Sequence, residues 1–314
     1  MTMRRVVFGL GSNLGGRFSM LRAAHDLFAY AFDGHVQSSR VRVTAPVGPV
    51  QPDFLNAAVL VRSDAPPEAL LSMAMRIEEK LGRERSVRWG PRTIDVDVLW
   101  AEGETHASEA LSLPHARLRE RAFALAPLLD VCPDAVDPGD GARYRAVYDG
   151  LAQPSIEGPY ALGEGFSTDE VMDHTADEGF VVRAFDRADL LAGAAEALAN
   201  IIVHRSSVRP VRVMPVTVES ASSDGFADDE ERMFSFLSEV LYLLDARRFA
   251  ARRVCVLEDS DRVVKALLLG EPLNEAKHEV GTAVKAITYH DMTIGPCERG
   301  ANGEQRSARV IVDV

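Results

Sequence analysis

At 314 residues the chain is long enough for two domains with separate cores. Its 46% apolar and 26% charged residues are ordinary for a globular protein, and no apolar run approaches the roughly 18 residues of a membrane span. Residues 1–150 carry 18 Lys+Arg against 19 Asp+Glu and residues 151–314 carry 17 against 28, so the second half argues against direct nucleic-acid binding.

The basic-then-apolar start at Met1–Gly9 is too short for a signal peptide. Cys132, Cys255 and Cys297 are odd in number, far apart and without metal spacing. They fit a reducing, cytoplasmic location and argue against a disulfide framework or a zinc site.

Along the first half, Arg5–Leu10 reads as a strand and the Gly11–Gly16 stretch as a turn. Phe18–Phe32 has helical spacing, and Val36–Val43 and Asp53–Arg62 read as strands. Pro67–Leu81 is a helix with proline in its first turn and Gly82 beyond its end. Ile94–Trp100 is a strand and Ala116–Asp130 a helix. The alternation suits a sandwich of helices on one sheet. Residues 150–168 are rich in Pro and Gly and read as a linker, placed at 153–168 between domains at 1–152 and 169–314.

In the second half, strands are expected at Phe180–Phe185, Val211–Val218, Val254–Leu257, Arg262–Leu269, Ala283–Ile294 and Ala308–Val314. Helices are expected at Arg187–Ile202 and Asp228–Ala246, the latter with a core stripe of Phe234, Leu237, Leu241 and Leu244. The insert Ser220–Glu231 reads as a mobile loop.

The most informative run is Arg88-Trp89-Gly90-Pro91-Arg92-Thr93-Ile94-Asp95-Val96-Asp97. On a strand, residues i and i+2 share a face, so Asp95 and Asp97 project side by side, which is costly without a cation between them. Hard oxygen ligands suit Mg²⁺, which usually arrives with substrate phosphates. Arg83, Arg85, Arg88 and Arg92 fall within ten residues; they form either a solvated charge cluster or a phosphate grip, and the adjacent aspartates favour the grip. Thr44-Ala45-Pro46 and Gln51-Pro52-Asp53-Phe54-Leu55-Asn56 form either a rigid loop with a core aromatic or the wall of a slot for a flat heterocycle. His115 is either structural or a partner for a phosphate, and Arg119, Arg121 and Phe123 follow it. Gly9-x-Gly11 with its later glycines is a tight turn rather than a dinucleotide loop.

Together, Gly9-x-Gly11-Ser12-Asn13-Leu14-Gly15, Gln51-Pro52-x-Phe54-x-Asn56, Arg88-Trp89-Gly90-Pro91-Arg92-Thr93-Ile94-Asp95-x-Asp97 and Leu113-Pro114-His115 resemble the 6-hydroxymethyl-7,8-dihydropterin pyrophosphokinase family. The resemblance covers residues 4–150. It implies an α+β fold, a ferredoxin-like sandwich, that transfers the β,γ-pyrophosphoryl unit of ATP to the pterin hydroxymethyl group and leaves AMP. It also implies two Mg²⁺ ions on Asp95 and Asp97, with Arg83 and Arg92 taking part in catalysis. Thr44, Pro46, Phe54, Asn56 and Phe123 would form the pterin pocket. Glu78, Arg83, Arg85, Trp89, Arg92, His115 and Arg121 would form the ATP contacts. Ala116 departs from members that carry a tyrosine after the histidine, which removes one nucleotide contact.

In the second half, Asp313 is unusual because strand interiors disfavour aspartate. Either it and Asp177 are solvated capping residues, or they converge with the Val314 carboxylate on a divalent cation. His174, His278 and His290 lack zinc spacing. The motifs Asp173-His174-Thr175-Ala176-Asp177, His278–His290 and Ala308–Val314 resemble archease over residues 169–314, a second, separate α+β domain. That resemblance implies a cofactor of a tRNA-splicing RNA ligase, with Ca²⁺ or another divalent ion at Asp177, Asp313 and Val314. Three functions follow: two fused activities; one enzyme with a folding, assembly or non-ligase binding module; or a tail with enzymatic activity of its own.

Overall fold

A computed structural model describes residues 3–46, 49–83, 90–151, 156–162, 167–174, 177–297 and 306–314. The chain divides into two compact units, Met1–Glu164 and Gly165–Val314.

The first unit opens with β1 (Arg4–Ser12), α1 (Arg17–Ala31), β2 (Arg40–Thr44), β3 (Phe54–Ser63), α2 (Pro67–Lys80) and β4 (Asp95–Ala101). The strands lie in the order β4-β1-β3-β2, every neighbour antiparallel, which is the ferredoxin-like arrangement. Both faces of β1 are buried, so its apolar residues run without polar alternation. Val6, Phe8 and Leu10 face α1, where the Phe8 and Phe28 rings lie 4.7 Å apart. On the opposite face, Val7, Ala58, Leu60 and Leu99 join Leu125, Leu128 and Leu129 of α3 (Ala122–Val131). The register of β1 against β4 slips between Val7 and Phe8, a bulge that leaves Leu99 opposite no partner. The Leu99 carbonyl instead accepts the His115 N–H at 2.8 Å, which hangs the 113–121 segment over the strand.

Two expectations shift here. The helix begins at Ala122 rather than Ala116, because Arg121 is extended (φ −118°, ψ 94°) and 118–120 forms a 3₁₀ turn. The supposed linker contains β5 (Ile156–Ala161), which pairs with β2. β2 would otherwise expose an unpaired edge, and a proline such as Pro159 is compatible with an edge strand. A short helix, α4 (Tyr144–Asp149), also falls outside the expected pattern.

The second unit comprises β6 (Ser167–His174), β7 (Asp177–Ala184), α5 (Arg187–Ile202), β8 (Arg212–Glu219), α6 (Asp229–Ala246), β9 (Phe249–Asp259), β10 (Val263–Pro272), β11 (Ala286–Pro296) and β12 (Arg306–Asp313). They form two antiparallel sheets, β11-β12-β7-β6 and β8-β10-β9, and α5 packs on β7 and β9, one strand of each. Asp186 caps α5 by accepting the Asp189 N–H at 2.9 Å, and Asp228 caps α6 by accepting the Glu231 N–H at 2.7 Å.

The 220–231 insert is tied down rather than loose. The Ser220 and Phe226 N–H groups donate to Arg262 and Asp261, each at 2.9 Å, and Arg232 lies 4.8 Å from the Phe226 ring centre. The α6 stripe is Met233, Phe236, Leu237, Val240, Leu241 and Leu244. Phe234 sits one step off it and stacks on Tyr289, with ring centres 4.0 Å apart.

Glu196 of α5 is 2% exposed and accepts from Arg205, from Arg253 at 3.2 Å and from the Val254 N–H at 3.3 Å. Glu196→Ala withdraws the carboxylate from two guanidinium groups, and such losses cost about 3–5 kcal/mol. Urea unfolding of the intact chain should show the second unit destabilised by that order, with Glu196→Gln milder.

Candidate active site

β4 places its two aspartates by register. Asp97 lies opposite Gly9 and Asp95 opposite Gly11 on β1, and Gly11 is in turn opposite Asn56 on β3. Cross-strand partners share a face, so these side chains line up on the α3 side of the sheet, beyond the apolar cluster. The glycines keep that floor open: a Cβ at Gly11 would meet the Asn56 Oδ1 at 3.3 Å, and one at Gly9 would meet Leu99 at 2.9 Å.

Above this floor lies a cleft of about 810 Å³ within the first unit. Of the residues singled out from the sequence, Thr44, Phe54, Asn56, Glu78, Arg83, Arg92, Asp95, Asp97, His115, Arg121 and Phe123 line it. Pro46 does not, although the adjacent Ala45 does. Arg85, Arg88 and Trp89 lie outside the described residues.

At one end, Asn56 donates its Nδ2–H to the Thr44 hydroxyl at 2.7 Å, and Phe54 and Phe123 are half-buried. Two aromatics with an amide fixed by a hydroxyl can take a flat ring and read its edge. At the other end, Asp95 accepts from Arg83 at 2.8 Å and from Arg92 at 2.6 Å. Arg83 arrives there through a helix-ending turn: Gly82 has φ +71°, and the Gly82 and Arg83 N–H groups bond the Glu79 and Glu78 carbonyls, each at 3.0 Å. The Glu78 carboxylate pairs with Arg83 and accepts the Val96 N–H at 2.8 Å. It therefore serves Arg83 and the β4 backbone directly. Burial raises its pKa.

Asp97 keeps some exposed surface but sits deep in the floor. Burial, and then the neighbouring Asp95 charge, pushes its pKa up to about 7. No hydrogen-bond donor among the described residues reaches its carboxylate. Two adjacent carboxylates, one lacking a donor, fit a divalent cation with oxygen ligands. Among the described residues no set of three or more His, Cys, Asp or Glu converges. Mg²⁺ takes one or two carboxylates and completes its shell with water and phosphate.

The facing wall is cationic. His115 Nδ1 accepts the Arg117 N–H at 3.2 Å, which puts the imidazole proton on Nε2, and burial followed by Arg121 lowers its pKa. Arg121 is lowered by burial and then by Arg117. Arg117 lines the cleft, whereas Arg119 turns away to Asp137 (3.0 Å) and Asp140 (2.5 Å). Arg117 is thus a residue the sequence reading missed; its four-residue spacing from Arg121 was the available signal. Asn13 is another: it stands in the Gly9–Gly15 motif, where it read as a turn residue without a role of its own.

In the second unit, Asp177 is the direct cross-strand partner of Asp313. Of Asp177 only the backbone is described. The Lys285 N–H donates to the Asp313 carbonyl at 2.8 Å, and its Nζ to a Val314 main-chain oxygen at 2.7 Å. His278 is buried, with Nδ1 accepting the Asn274 N–H at 3.0 Å and Nε2 3.2 Å from Glu271, as a structural histidine. His290 is exposed and the His174 side chain is outside the description. No helix among the described residues is long and apolar enough to cross a membrane.

The 7,8-dihydro-6-hydroxymethylpterin-pyrophosphokinase family model matches residues 7–133, and the Archease protein family model matches residues 170–314. The 2-amino-4-hydroxy-6-hydroxymethyldihydropteridine pyrophosphokinase of Methylorubrum extorquens is 44% identical over 144 residues, 45% of this chain and 90% of that protein. The Bacillus subtilis protein of the same name is 44% identical over 125 residues, 39% of this chain and 75% of that protein. Among solved structures, Methanobacterium thermoautotrophicum protein 1598 is 28% identical with a TM-score of 0.37, covering 48% of this chain and 99% of that one. Plasmodium falciparum HPPK-DHPS is 15% identical with a TM-score of 0.37, covering 47% of this chain and 44% of that one. Through its first unit the chain therefore belongs to the 7,8-dihydro-6-hydroxymethylpterin-pyrophosphokinase family of diphosphokinases, and its second unit is an archease domain.

Proposed function

We propose that the first unit transfers the β,γ-pyrophosphoryl group of ATP to the hydroxymethyl oxygen of 6-hydroxymethyl-7,8-dihydropterin, releasing AMP in folate synthesis. The observation that carries this reading is one cleft holding an aromatic and amide slot at one end and paired aspartates among guanidinium groups at the other. Phe54 and Phe123 sandwich the pterin. Thr44 fixes the Asn56 amide by accepting its Nδ2–H, which leaves Oδ1 and the second Nδ2–H for the edge of the pterin, and Pro46 stiffens the loop. Asp95 and Asp97 would hold two Mg²⁺ ions, which would supply neutralising charge to the triphosphate. Arg83 and Arg92, now on Asp95, exchange that carboxylate for phosphate oxygens as ATP enters. Glu78 keeps Arg83 within reach, while neutral His115 donates Nε2–H and Arg117 and Arg121 add positive charge on the facing wall. Arg85 and Trp89 are further nucleotide contacts by their motif. These groups align the two substrates and exclude water from the transferring group.

For the second unit we propose a non-catalytic role: a cofactor of a tRNA-splicing RNA ligase, with a divalent ion such as Ca²⁺ at Asp177, Asp313 and Val314. Its net charge of −9, from 17 Lys+Arg against 26 Asp+Glu in residues 165–314, favours docking on a basic protein surface over binding RNA. Free cysteines at 132, 255 and 297 fit a reducing cytoplasm.

The intact chain, supplied with ATP, Mg²⁺ and the pterin, should release AMP one-to-one with pyrophosphorylated pterin; no AMP, or AMP without pterin consumption, ends the first reading. Added to a cognate ligase, the chain should increase guanylylation and turnover. An unaffected ligase would leave the second unit as an assembly module, and a nucleotide-dependent activity of its own would favour a second enzyme.

A further inference from the structure

We infer that Asn13 is a positioning residue that locks the ring-binding loop to the phosphate-binding segment, an inference that rests on the proposed pyrophosphokinase reading of the cleft. Asn13 follows the last residue of β1 and is 1% exposed. Its backbone N–H donates to the Arg92 carbonyl at 3.1 Å and its Oδ1 accepts the Arg92 N–H at 2.8 Å. Its Nδ2 donates to the Gln51 Oε1 and to the Pro52 carbonyl, each at 3.1 Å.

One planar amide thus spends an acceptor on one segment and two donors on the other. Aspartate lacks the donors, serine lacks the reach, and glutamine is one methylene too long. What hangs from these bonds is specific. Arg92 holds Asp95 from the same residue whose backbone Asn13 clamps. Gln51 lines the cleft and Pro52 stands two residues before Phe54. The side chain therefore ties the position of the aromatic slot to that of the guanidinium end. Misplacing either partner by about 1 Å costs on the order of 10²-fold in rate.

Asn13→Asp keeps the acceptor toward the Arg92 N–H but sets a carboxylate against the Pro52 carbonyl, so it releases chiefly the ring-binding loop. Asn13→Ala loses all three side-chain bonds. In steady-state AMP-release assays on the intact chain, Asn13→Asp is expected to raise KM for the pterin about tenfold with KM for ATP within about twofold. Asn13→Ala should show the same pterin effect together with a fall in kcat of about 100-fold. Thermal melts of both variants report folding, and if the alanine variant does not fold, the aspartate variant decides alone. An Asn13→Asp protein with a lowered melting temperature but both KM values and kcat within twofold of wild type makes Asn13 merely structural and overturns the inference. So does an equal rise in both KM values. A wild-type chain that releases no AMP overturns the reading of the cleft itself, and the inference with it.

Discussion

Asp97→Asn in the intact chain lowers AMP release by at least about 10³-fold, while the metal-free protein melts no lower than wild type. The two halves of this expectation have one cause. Asp97 sits opposite Gly9 on a floor where no donor among the described residues reaches its carboxylate, and the Asp95 charge lies two residues away on the same face. In the metal-free chain that arrangement is unfavourable, so removing the charge with an isosteric amide does not weaken the fold. On the proposed reading the same carboxylate would be half of the cation site, and without it the Mg²⁺ that neutralises the triphosphate would keep only one acidic ligand. Asp95→Asn should be equally damaging to turnover but should also loosen Arg83 and Arg92, which are bound to it at 2.8 and 2.6 Å. A lowered melting temperature therefore separates Asp95→Asn from Asp97→Asn. Near-normal turnover by Asp97→Asn would mean that the cation, if one is used, sits elsewhere.

The sequence made the regular elements legible where local signals agreed. Arg187–Ile202 is found as expected because an alanine-rich amphipathic run follows a capping aspartate, and α2 because Pro67 and Gly82 mark its ends. The paired aspartates were legible because the two-residue period of a strand decides which side chains share a face. What escaped depended on partners distant in sequence. β5 has no strand pattern of its own and is extended because the β2 edge accepts it. The 113–121 segment is anchored by a hydrogen bond from His115 to the bulged Leu99, and within it Arg121 is extended, Arg119 pairs with the 137–140 loop and Arg117 lines the cleft. Glu78 looks from its motif like a nucleotide contact, yet its carboxylate is engaged by Arg83 and the Val96 N–H. Asn13 reads as a turn residue, and only the folded chain brings Gln51, Pro52 and Arg92 around its amide.

Joint replacement of Asp177 and Asp313 by asparagine should abolish the divalent-ion binding proposed for the second unit. The two residues are direct partners across β7 and β12, and like charges so placed cost roughly 0.2–1 kcal/mol. Aspartate is also a poor strand residue, and its presence twice in one register pair is what the proposed cation would explain. Lys285 supplies one positive charge at Val314, 2.7 Å from a main-chain oxygen. The measurement uses an intact chain carrying Asp95→Asn and Asp97→Asn, so that binding in the first unit does not contribute. Titration calorimetry of that protein with Ca²⁺ should give one stoichiometric site, and the added Asp177→Asn and Asp313→Asn should remove its heat. Melting provides the second readout. At 100 times the dissociation constant the ion should stabilise the unit by about 2.7 kcal/mol, and the doubly substituted unit should melt at the same temperature with and without it. Binding heat that survives both substitutions, or a melt indifferent to Ca²⁺ before they are made, would show that the paired carboxylates are not an ion site.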